Sequence, residues 1–351
     1  MATLKQLADP QLYHACDWDL KRDAAARAYW VGAFLEHLES LVARIQEEYS
    51  EATAERIAAF RHDYASSMRA YQATPQRFER IDVLQMTRRR RELLLQWEFP
   101  DPYRAVKRRE NDTALRLLPK LLRELDALEP QAVFERLAAG LLAGNVFDLG
   151  SVAILRRYPH GISEFRQTLD TLPGRPWFID DAGVFRERWQ GGGAYRHVAF
   201  FVDNAGSDIV LGGLPLVRWM LQKGARVTLA ANSQPALNDV IAPELENLLD
   251  PAARHDELLT SARGSGALRV VASGGTTPLL DLTDLSAECA LETQDADLIV
   301  LHGSGRALES NYRAQFTCDT LRTAVIKDAA VAGRLGATLF DCVFQLQSSH
   351  V

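Results

Sequence analysis

The segment FVDNAGSDIVLGG, residues 201–213, decides the fold predicted for this chain. Its first two residues end an apolar run that begins at His197, and a polar, acidic stretch from Asp203 to Asp208 follows at once. Beyond that stretch, apolar residues recur at helical spacing from Leu211 to Leu221. The segment therefore predicts a buried strand, an acidic loop and a helix. Because open α/β sheets bind ligands beyond the carboxyl ends of their strands, we expect functional groups in this loop.

Five more apolar runs follow in the second half of the chain, and each is long enough for a strand. They are RVTLAA (226–231), LRVVAS (268–273), DLIVLHG (297–303), TAVIK (323–327) and TLFDCVFQL (338–346). Short apolar runs that alternate with helical segments are typical of parallel strands covered on both faces. The pattern predicts an α/β fold with a mainly parallel, doubly wound, Rossmann-like sheet, in which the last run forms an edge strand.

The first half of the chain, from about residue 11 to residue 170, shows helical periodicity throughout. Asp23 is placed to cap the first helix. Further helices are predicted over about 53–72, 82–98, 102–128 and 130–143. Pro119 should kink or split the fourth of the five helices, because proline removes a backbone donor. The arginines of TRRRRE, residues 87–92, are expected to fan around a solvated face.

Turn-forming residues between 171 and 195, including the glycines at 191–193, separate two halves of different charge. We predict an all-helical N-terminal domain over 1–175 and an α/β domain over 176–351. The first holds 26 Lys and Arg against 25 Asp and Glu, and the second holds 14 against 21. The second half thus has a net charge of −7 and the first half +1, and the negative charge argues against a nucleic-acid surface in the second half.

Several classes of protein do not fit this sequence. No apolar stretch approaches the roughly 18 residues of a membrane helix, and the N-terminal sequence MATLKQLADP lacks the pattern of a secretory signal. The four cysteines lie far apart, which favours reduced thiols over a disulfide framework or a zinc site. We therefore expect a cytoplasmic protein without a membrane partner.

Polar residues follow each of the first five predicted strands. They are Asp203 and Asn204, then Asn232, Ser233, Asn238 and Asp239, then residues 273–277, then residues 302–306, and last Lys327 and Asp328. Carboxylate and amide oxygens suit magnesium or manganese, and glycine-rich turns with lysine and arginine suit phosphate oxygens. A divalent ion that bridges the carboxylates to a phosphate accounts for the whole set. Taken singly, Asp203, Asn204 or Asp239 could equally cap a helix.

Two places in the first half carry polar residues at helical spacing. Lys107, Glu110 and Asn111 stand at i, i+3 and i+4, so they project from one helical face. Spacing alone favours a surface salt bridge over the wall of a site. In LLAGNVFDLG, residues 141–150, an apolar helix runs into Gly144 and Asn145, which a helix C-cap explains.

Long motifs in both halves carry a family resemblance. Those of the second half are the stretches 201–240, LHGSGRALESNY (301–312) and 321–347, and those of the first half are CDWDL (16–20), FPDPYRAVKRREN (99–111) and GLLAGNVFDLG (140–150). Together they resemble the metal-dependent damage-control phosphatases, the family known as domain of unknown function eighty-nine. The resemblance is closest to the phosphatase domain of animal pantothenate-kinase-like proteins.

This resemblance implies an activity and a set of residues. It implies hydrolysis of a small phosphorylated metabolite, 4'-phosphopantetheine, its oxidised forms or a sugar phosphate, with magnesium, manganese, cobalt or nickel. The implied metal ligands are Asp203, Asn204 and Asp239. The predicted catalytic residues are Asp203, Lys327 and, as a helper or a helix cap, Asp208. The predicted substrate-binding residues are Lys107, Glu110, Asn111, Asn145, Ser273, Gly274, Gly305 and Arg306, which reverses the salt-bridge interpretation of the face at 107–111.

Two other functions stay open from the sequence. The acidic, glycine-containing loop faintly resembles the first motif of S-adenosylmethionine-dependent methyltransferases, so a carboxyl methyltransferase is one alternative. A non-catalytic protein that binds a phosphorylated metabolite is the other. Neither GSGR at 303–306 nor the loop at 203–208 completes GxGxxG. Among the eight histidines, only His302 lies in a strand-end loop, and we expect it to be structural.

Overall fold

The computed structural model describes residues 1–146, 165–190 and 195–349, so the glycines at 191–193 lie outside the described residues. Within these ranges the helices are α1 (Ala24–Glu48), α2 (Ala54–Ala73), α3 (Val83–Gln96), α4 (Arg104–Asp126), α5 (Pro130–Asn145), α6 (Phe165–Thr171), α7 (Ala182–Arg188), α8 (Leu214–Gln222), α9 (Ala242–Ala253), α10 (Glu257–Ser265), α11 (Ala287–Glu292) and α12 (Ala329–Leu335). The strands are β1 (Ile179–Asp180), β2 (His197–Phe201), β3 (Arg226–Ala231), β4 (Leu268–Ala272), β5 (Leu298–His302), β6 (Asp319–Val325) and β7 (Cys342–Gln347). Of the helices so described, none combines the length and the apolar character needed to cross a membrane.

The helices α1 to α5 confirm the helical periodicity of the first half. Asp23 caps α1, because its side chain accepts a hydrogen bond from the backbone N–H of Ala26 at 2.9 Å. Helix α4 continues through Pro119, so the proline does not split it, and the predicted kink stays a prediction. The apolar face of α4 is buried on both sides of the proline, at Leu118 and Leu122, and this packing offsets the lost backbone hydrogen bond.

The arginines of α3 do not all lie on a solvated face. Arg90 and Arg91 are only 8% and 9% exposed. The guanidinium of Arg90 lies 5.3 Å from the ring centre of Phe34 on α1, and Arg91 donates to the backbone carbonyl of Pro100. The prediction was wrong for these two residues because α1 and the loop after α3 cover this side of the helix.

The seven strands form one sheet in the order β1-β7-β6-β5-β2-β3-β4. All neighbouring strands are parallel except β6 and β7, which confirms the predicted α/β fold with a mainly parallel sheet. The last strand was wrongly predicted as an edge strand, because β1 pairs beside β7. With only two residues, β1 is too short to produce a pattern in the sequence.

The strands β2 to β7 divide their side chains between two hydrophobic cores, one on each face of the sheet. In β2, Val198 and Phe200 belong to one core, and Ala199 and Phe201 belong to the other. Helices α4 and α5 contribute to the first core, and α1 to α3 contribute to the second. Both faces are therefore covered, as a doubly wound sheet requires, and each core combines the two halves of the chain. The domain boundary at residue 175 stays a prediction.

The sheet changes its direction of growth between β2 and β5. From β2 the chain adds β3 and β4 on one side, and from β5 it adds β6 and β7 on the other. In parallel sheets such a switch point opens a crevice at the carboxyl ends of the strands. The acidic loop follows β2 and the loop that begins at Gly303 follows β5, so both enter this crevice.

Candidate active site

The acidic loop after β2 is fastened to the loop after β3. The backbone N–H of Val240 donates to the carbonyl of Asp203 at 3.0 Å. Asn204 and Asp239 pair as an isolated antiparallel bridge. This pairing brings together the three residues predicted as metal ligands. In the sequence, 34 residues lie between Asn204 and Asp239.

Arg306 joins the two carboxylates of this group. Its guanidinium forms ion pairs with Oδ1 of Asp203 and with Oδ2 of Asp239, the second at 2.6 Å. The arginine is 2% exposed. Burial by itself lowers the pKa of Arg306, but the charges of Asp239 and Asp203 outweigh that effect and hold the pKa above its ordinary value. Arg306 is therefore a permanent cation that balances one of the two carboxylates.

Asn145, the last residue of α5, reaches into the same cluster. Its amide nitrogen donates to Oδ2 of Asp203 at 2.9 Å and to Oδ2 of Asp208 at 3.1 Å. Its amide oxygen accepts from the backbone N–H of Val325 at 3.2 Å. Asn145 thus connects the acidic loop to the end of β6, and its position at a helix terminus explains only part of its role.

Asp208 is held inside the cluster by contacts to both of its oxygens. Oδ2 accepts from the backbone N–H of Asn204 at 3.1 Å, and Oδ1 lies 2.7 Å from Nε2 of His302. Nδ1 of His302 lies 2.7 Å from the hydroxyl of Thr323. Burial alone would raise the pKa of Asp208, but His302, Lys327 and the N–H of Asn204 lower it below its ordinary value. Asp208 is therefore ionised, and His302 holds it in place.

Gly303 lets the carboxylate of Asp203 lie against the backbone of the loop after β5. Its φ angle is +96°, a conformation that side chains rarely adopt. A Cβ atom at this position would lie 2.7 Å from Oδ1 of Asp203 and closer still to Oδ2. Only glycine fits here, for two independent reasons.

A cavity of about 490 Å³ lies over these groups. The predicted site residues that line it are Asp203, Asn204, Asp239, Gly305 and Lys327. Lys327 is 4% exposed, and its ammonium group donates to the carbonyl of Asn145 at 2.7 Å. Residues of α1 and α3 also line this cavity. A second cavity, of about 650 Å³, lies among α4, α5, α7 and α8, and none of the predicted site residues lines it.

Lys107 lies apart from the 490 Å³ cavity and does not line it. Its ammonium nitrogen is 3.1 Å from a carboxylate oxygen of Asp101 and 2.8 Å from one of Glu244, and its side chain is 1% exposed. Because Glu244 belongs to α9, this buried ion pair fastens α4 to the second half of the chain. The geometry gives Lys107 a structural contact.

Glu110 and Asn111 contact the acidic loop from α4, at Gly206. The backbone N–H of Gly206 donates to Oδ1 of Asn111 at 2.6 Å. A Cβ atom at Gly206 would lie 2.8 Å from the Cβ of Glu110. Burial raises the pKa of Glu110 to about 7, although Arg44 and Arg109 act in the opposite direction. The pair supports the acidic loop, and neither residue lines the cavity.

The loop after β4 approaches the cavity at a later point than predicted. The hydroxyl oxygen of Ser273 accepts from the N–H of Gly275 at 3.1 Å, and the N–H of Gly274 donates to the hydroxyl oxygen of Ser233 at 2.7 Å. Neither Ser273 nor Gly274 lines the cavity. Pro278 is one of the residues through which this loop reaches it.

Two contributions to the site were not among the predicted site residues. Asn232 donates to Oδ2 of Asp239 at 3.0 Å and accepts from Arg306 at 3.2 Å, and its place directly after a strand was the available signal. One face of α1, including Tyr29 and Gly32, lines the cavity. The sequence offered no signal for that face, because exposed positions of an amphipathic helix look alike whether they face solvent or a cavity.

The donor set at the acidic loop fits a hard divalent cation. Two carboxylates and the side-chain amide of Asn204 provide oxygen donors of the type that such ions prefer. The charged side chains of the cluster are Asp203, Asp208, Asp239, Arg306 and Lys327. Asp203 and Asp239 share the single guanidinium of Arg306, so one negative charge beside Asn204 is left for a cation to offset. No three His, Cys, Asp or Glu side chains of the described residues gather as a metal-ligand group, so the amide oxygen is needed to complete the set.

Comparison with known proteins identifies relatives of nearly the whole chain. Pantothenate kinase 2 of Arabidopsis thaliana is 37% identical over 368 residues, which cover 96% of this chain and 41% of that protein. Damage-control phosphatase At2g17340 of Arabidopsis thaliana is 33% identical, covering 93% of this chain and 89% of that protein. The 4'-phosphopantetheine phosphatase of Mus musculus is 32% identical, covering 99% and 48%. The chain thus spans less than half the length of the first and third of these relatives.

A solved structure and a family model agree with these relatives. The crystal structure of a DUF89 family protein from Pyrococcus horikoshii superposes with a TM-score of 0.62 over 88% of this chain and 97% of that one. At 17% identity, this likeness shows a shared fold. The family model for the damage-control phosphatase ARMT1-like domain matches residues 32–343. The resemblance inferred from the sequence motifs is confirmed, and the chain belongs to the damage-control phosphatase family.

Proposed function

We propose that this protein is a divalent-metal-dependent phosphatase that hydrolyses a small phosphomonoester. The observation that carries the proposal is the position of Asp203, Asn204, Asp239 and Lys327 on the wall of one cavity. Oxygen donors for a metal and an ammonium group for a phosphate oxygen then lie around the same space. Family membership supports phosphate-ester hydrolysis, since two of the relatives are named as phosphatases.

In this proposal Asp203, Asn204 and Asp239 hold the ion, which is magnesium, manganese, cobalt or nickel. The ion supplies positive charge that neutralises the phosphate and polarises the P–O bonds. Arg306 keeps the two carboxylates in position, because its planar guanidinium binds one oxygen of each. Substrate contact by Arg306 itself is not required for this role.

Lys327 binds a phosphate oxygen and stabilises the charge that develops during transfer. The carbonyl of Asn145, at 2.7 Å, holds its ammonium group toward the cluster. Asp208 does not line the cavity, and it holds the side-chain amides of Asn145 and Asn204 at 3.1 and 3.0 Å. Its part in the proposal is therefore to orient these two amides.

The proposed substrate is 4'-phosphopantetheine or one of its oxidised forms, with sugar phosphates as the second class. The mouse relative is named for the first of these. The cavity volume of about 490 Å³ lies within the range of about 300–1,000 Å³ that small-molecule sites occupy. A small phosphorylated metabolite, rather than a nucleic acid, is the partner that this space suits.

The test is phosphate release from a panel of 4'-phosphopantetheine, its sulfonate, ribose 5-phosphate and fructose phosphates. Each is assayed with magnesium, manganese, cobalt and nickel, and with a chelator. Asp203→Ala should lower metal-dependent release by at least about 100-fold, because it removes one of two carboxylate ligands. The matched control is Asp112→Ala on the exposed side of α4, which should keep the parent activity. Full activity of folded Asp203→Ala would rule out the proposed ligand set.

Binding and phosphate-release measurements distinguish the phosphatase from the two alternative functions. A methyltransferase would bind S-adenosylmethionine without added metal, which calorimetry detects. A non-catalytic binding protein would bind phosphorylated ligands and release no phosphate with any of the four ions. Family membership and the two-carboxylate cluster favour the phosphatase over both.

A further inference from the structure

The cavity above the acidic loop is much larger than a phosphoryl group. Its volume is about 490 Å³. A phosphoryl group, with three free oxygens, needs on the order of 100 Å³ if each oxygen takes the share of about 30 Å³ that a water has in the liquid. The groups proposed to act on the phosphate come from the strand-end loops. The remaining lining, which includes residues of α1 and α3, is therefore left for the rest of the substrate.

One row of residues on α1 lines the cavity and leaves open space above the helix. Ala28, Gly32 and Glu36 recur at intervals of four, and all three line the cavity. At a rise of about 1.5 Å per residue, this α1 row is about 12 Å long. Glycine inside a helix is destabilising relative to alanine, so Gly32 has a local cost. A Cβ atom at Gly32 would meet no atom within 4 Å, which shows that the space over it is empty.

Apolar side chains outside the α1 row also line the cavity. Leu237, Leu279 and Leu339 line it. Trp30 also lines the cavity and is 6% exposed. These side chains suit apolar segments of a bound molecule.

The charges around the α1 row disfavour a negatively charged tail. Glu36, Glu309 and Asp328 all line the cavity. The basic group on the α3 side is Arg90, whose guanidinium lies over the ring of Phe34. A second phosphate or a carboxylate on the tail would therefore meet more negative than positive charge.

We propose that the α1 row binds the tail of the substrate and that Gly32 is a specificity-determining residue. The tail is an extended, uncharged chain of about 12 Å with apolar segments. The inference rests on the proposed phosphatase function for the phosphate end of the same molecule. A compact sugar phosphate does not fill the α1 row, so contacts with this row add nothing to its binding free energy.

The test substitutes leucine for the glycine of the row. In Gly32→Leu the new side chain occupies the row, and the open space at this position lets the helix keep its fold. The matched control is Gly183→Leu in α7, where an added Cβ also meets no atom within 4 Å and which lies outside the cavity lining. We measure kcat/KM with manganese for 4'-phosphopantetheine, the long substrate, and for ribose 5-phosphate, the compact one.

Gly32→Leu should lower kcat/KM for 4'-phosphopantetheine by at least about 10-fold, because displaced methylene groups cost roughly that much each. The value for ribose 5-phosphate, and both values for the control, should stay within about 2-fold of the parent. Equal losses on the two substrates, or no loss on the long one, would overturn the inference.

Binding of pantetheine, which lacks the phosphate, provides a readout that does not depend on turnover. Calorimetry should detect binding to the parent and to Gly183→Leu, and none to Gly32→Leu. A parent that binds pantetheine but releases phosphate from no substrate would refute the phosphatase proposal and retain the α1 row. A parent that does not bind pantetheine would refute the α1 row.

Discussion

Replacement of Gly303 by alanine should displace the carboxylate of Asp203, although none of the acidic, basic or amide residues of the cluster is itself substituted. The new Cβ would lie 2.7 Å from Oδ1 of Asp203 and closer to Oδ2, whereas ordinary carbon–oxygen contacts are about 3.3 Å or longer. The carboxylate would therefore have to retreat by about 1 Å. That movement strains its bonds to Asn145, Asn204 and Arg306.

The expected loss of activity is large and the expected loss of stability is moderate. A displacement of about 1 Å at a catalytic group costs about 100-fold in rate, so kcat/KM for metal-dependent phosphate release should fall by about that factor. Alanine at a φ of +96° costs about 1–2 kcal/mol, and the overlap with the carboxylate adds about 1–3 kcal/mol.

The matched control for Gly303→Ala is Gly224→Ala. Gly224 has a φ of +90°, and an added Cβ there meets no atom within 4 Å, so it carries the backbone strain without the overlap. Urea unfolding should show a loss of about 1–2 kcal/mol in the control, with unchanged phosphate release. If Gly303→Ala kept activity within a few-fold of the control, the position assigned to the Asp203 carboxylate would be wrong.

Three further variants test other buried ionisable side chains, namely Glu110, Arg306 and Lys107. Glu110 holds a proton in the native state up to a pKa of about 7, against 4.5 when exposed, so the metal-free parent should lose about 3 kcal/mol of stability between about pH 4.5 and pH 8. Glu110→Gln should lack this loss, and equal slopes in urea unfolding would contradict it. Arg306→Gln leaves two buried carboxylates without their cation, so it should lower the free energy of unfolding by about 3–5 kcal/mol in chelator. Manganese should raise its Tm more than that of the parent, and an equal rise would argue against the ion pairs. Lys107→Met should cost about 3 kcal/mol by breaking a buried ion pair, yet leave KM unchanged in the folded protein.

The sequence predicted the strands well because a buried parallel strand needs a continuous apolar run. RVTLAA, for example, coincides with β3 at both ends. Residues that depend on distant partners were harder to predict. Arg91 in a basic run is expected to be solvated, but its guanidinium donates to the backbone carbonyl of Pro100 and to the side chain of Gln234. The edge strand β1 has two residues, which is too few for any periodicity.

The candidate site was predictable where it follows strand ends and less so elsewhere. Asp203, Asn204, Asp239 and Lys327 meet at one cavity because parallel strands carry their loops to the same edge. Asn145 has a sufficient local explanation as a helix terminus, so its bonds to Asp203 and Asp208 could be found only in three dimensions. Positions on α1 that line the cavity carry the same residue types as solvent-facing ones.

The sharing of both hydrophobic cores between the two halves affects how this protein is made. Helices α1 to α5 leave the ribosome before the strands that cover their apolar faces. About 180 residues separate the end of α5 from the end of β6, which corresponds to roughly 10–35 s of synthesis at about 5–20 residues per second. During that interval the nascent helices expose apolar surface, so the chain is a natural client for chaperones that bind at the ribosomal exit. The mainly parallel sheet can be completed only after β7 has left the ribosome.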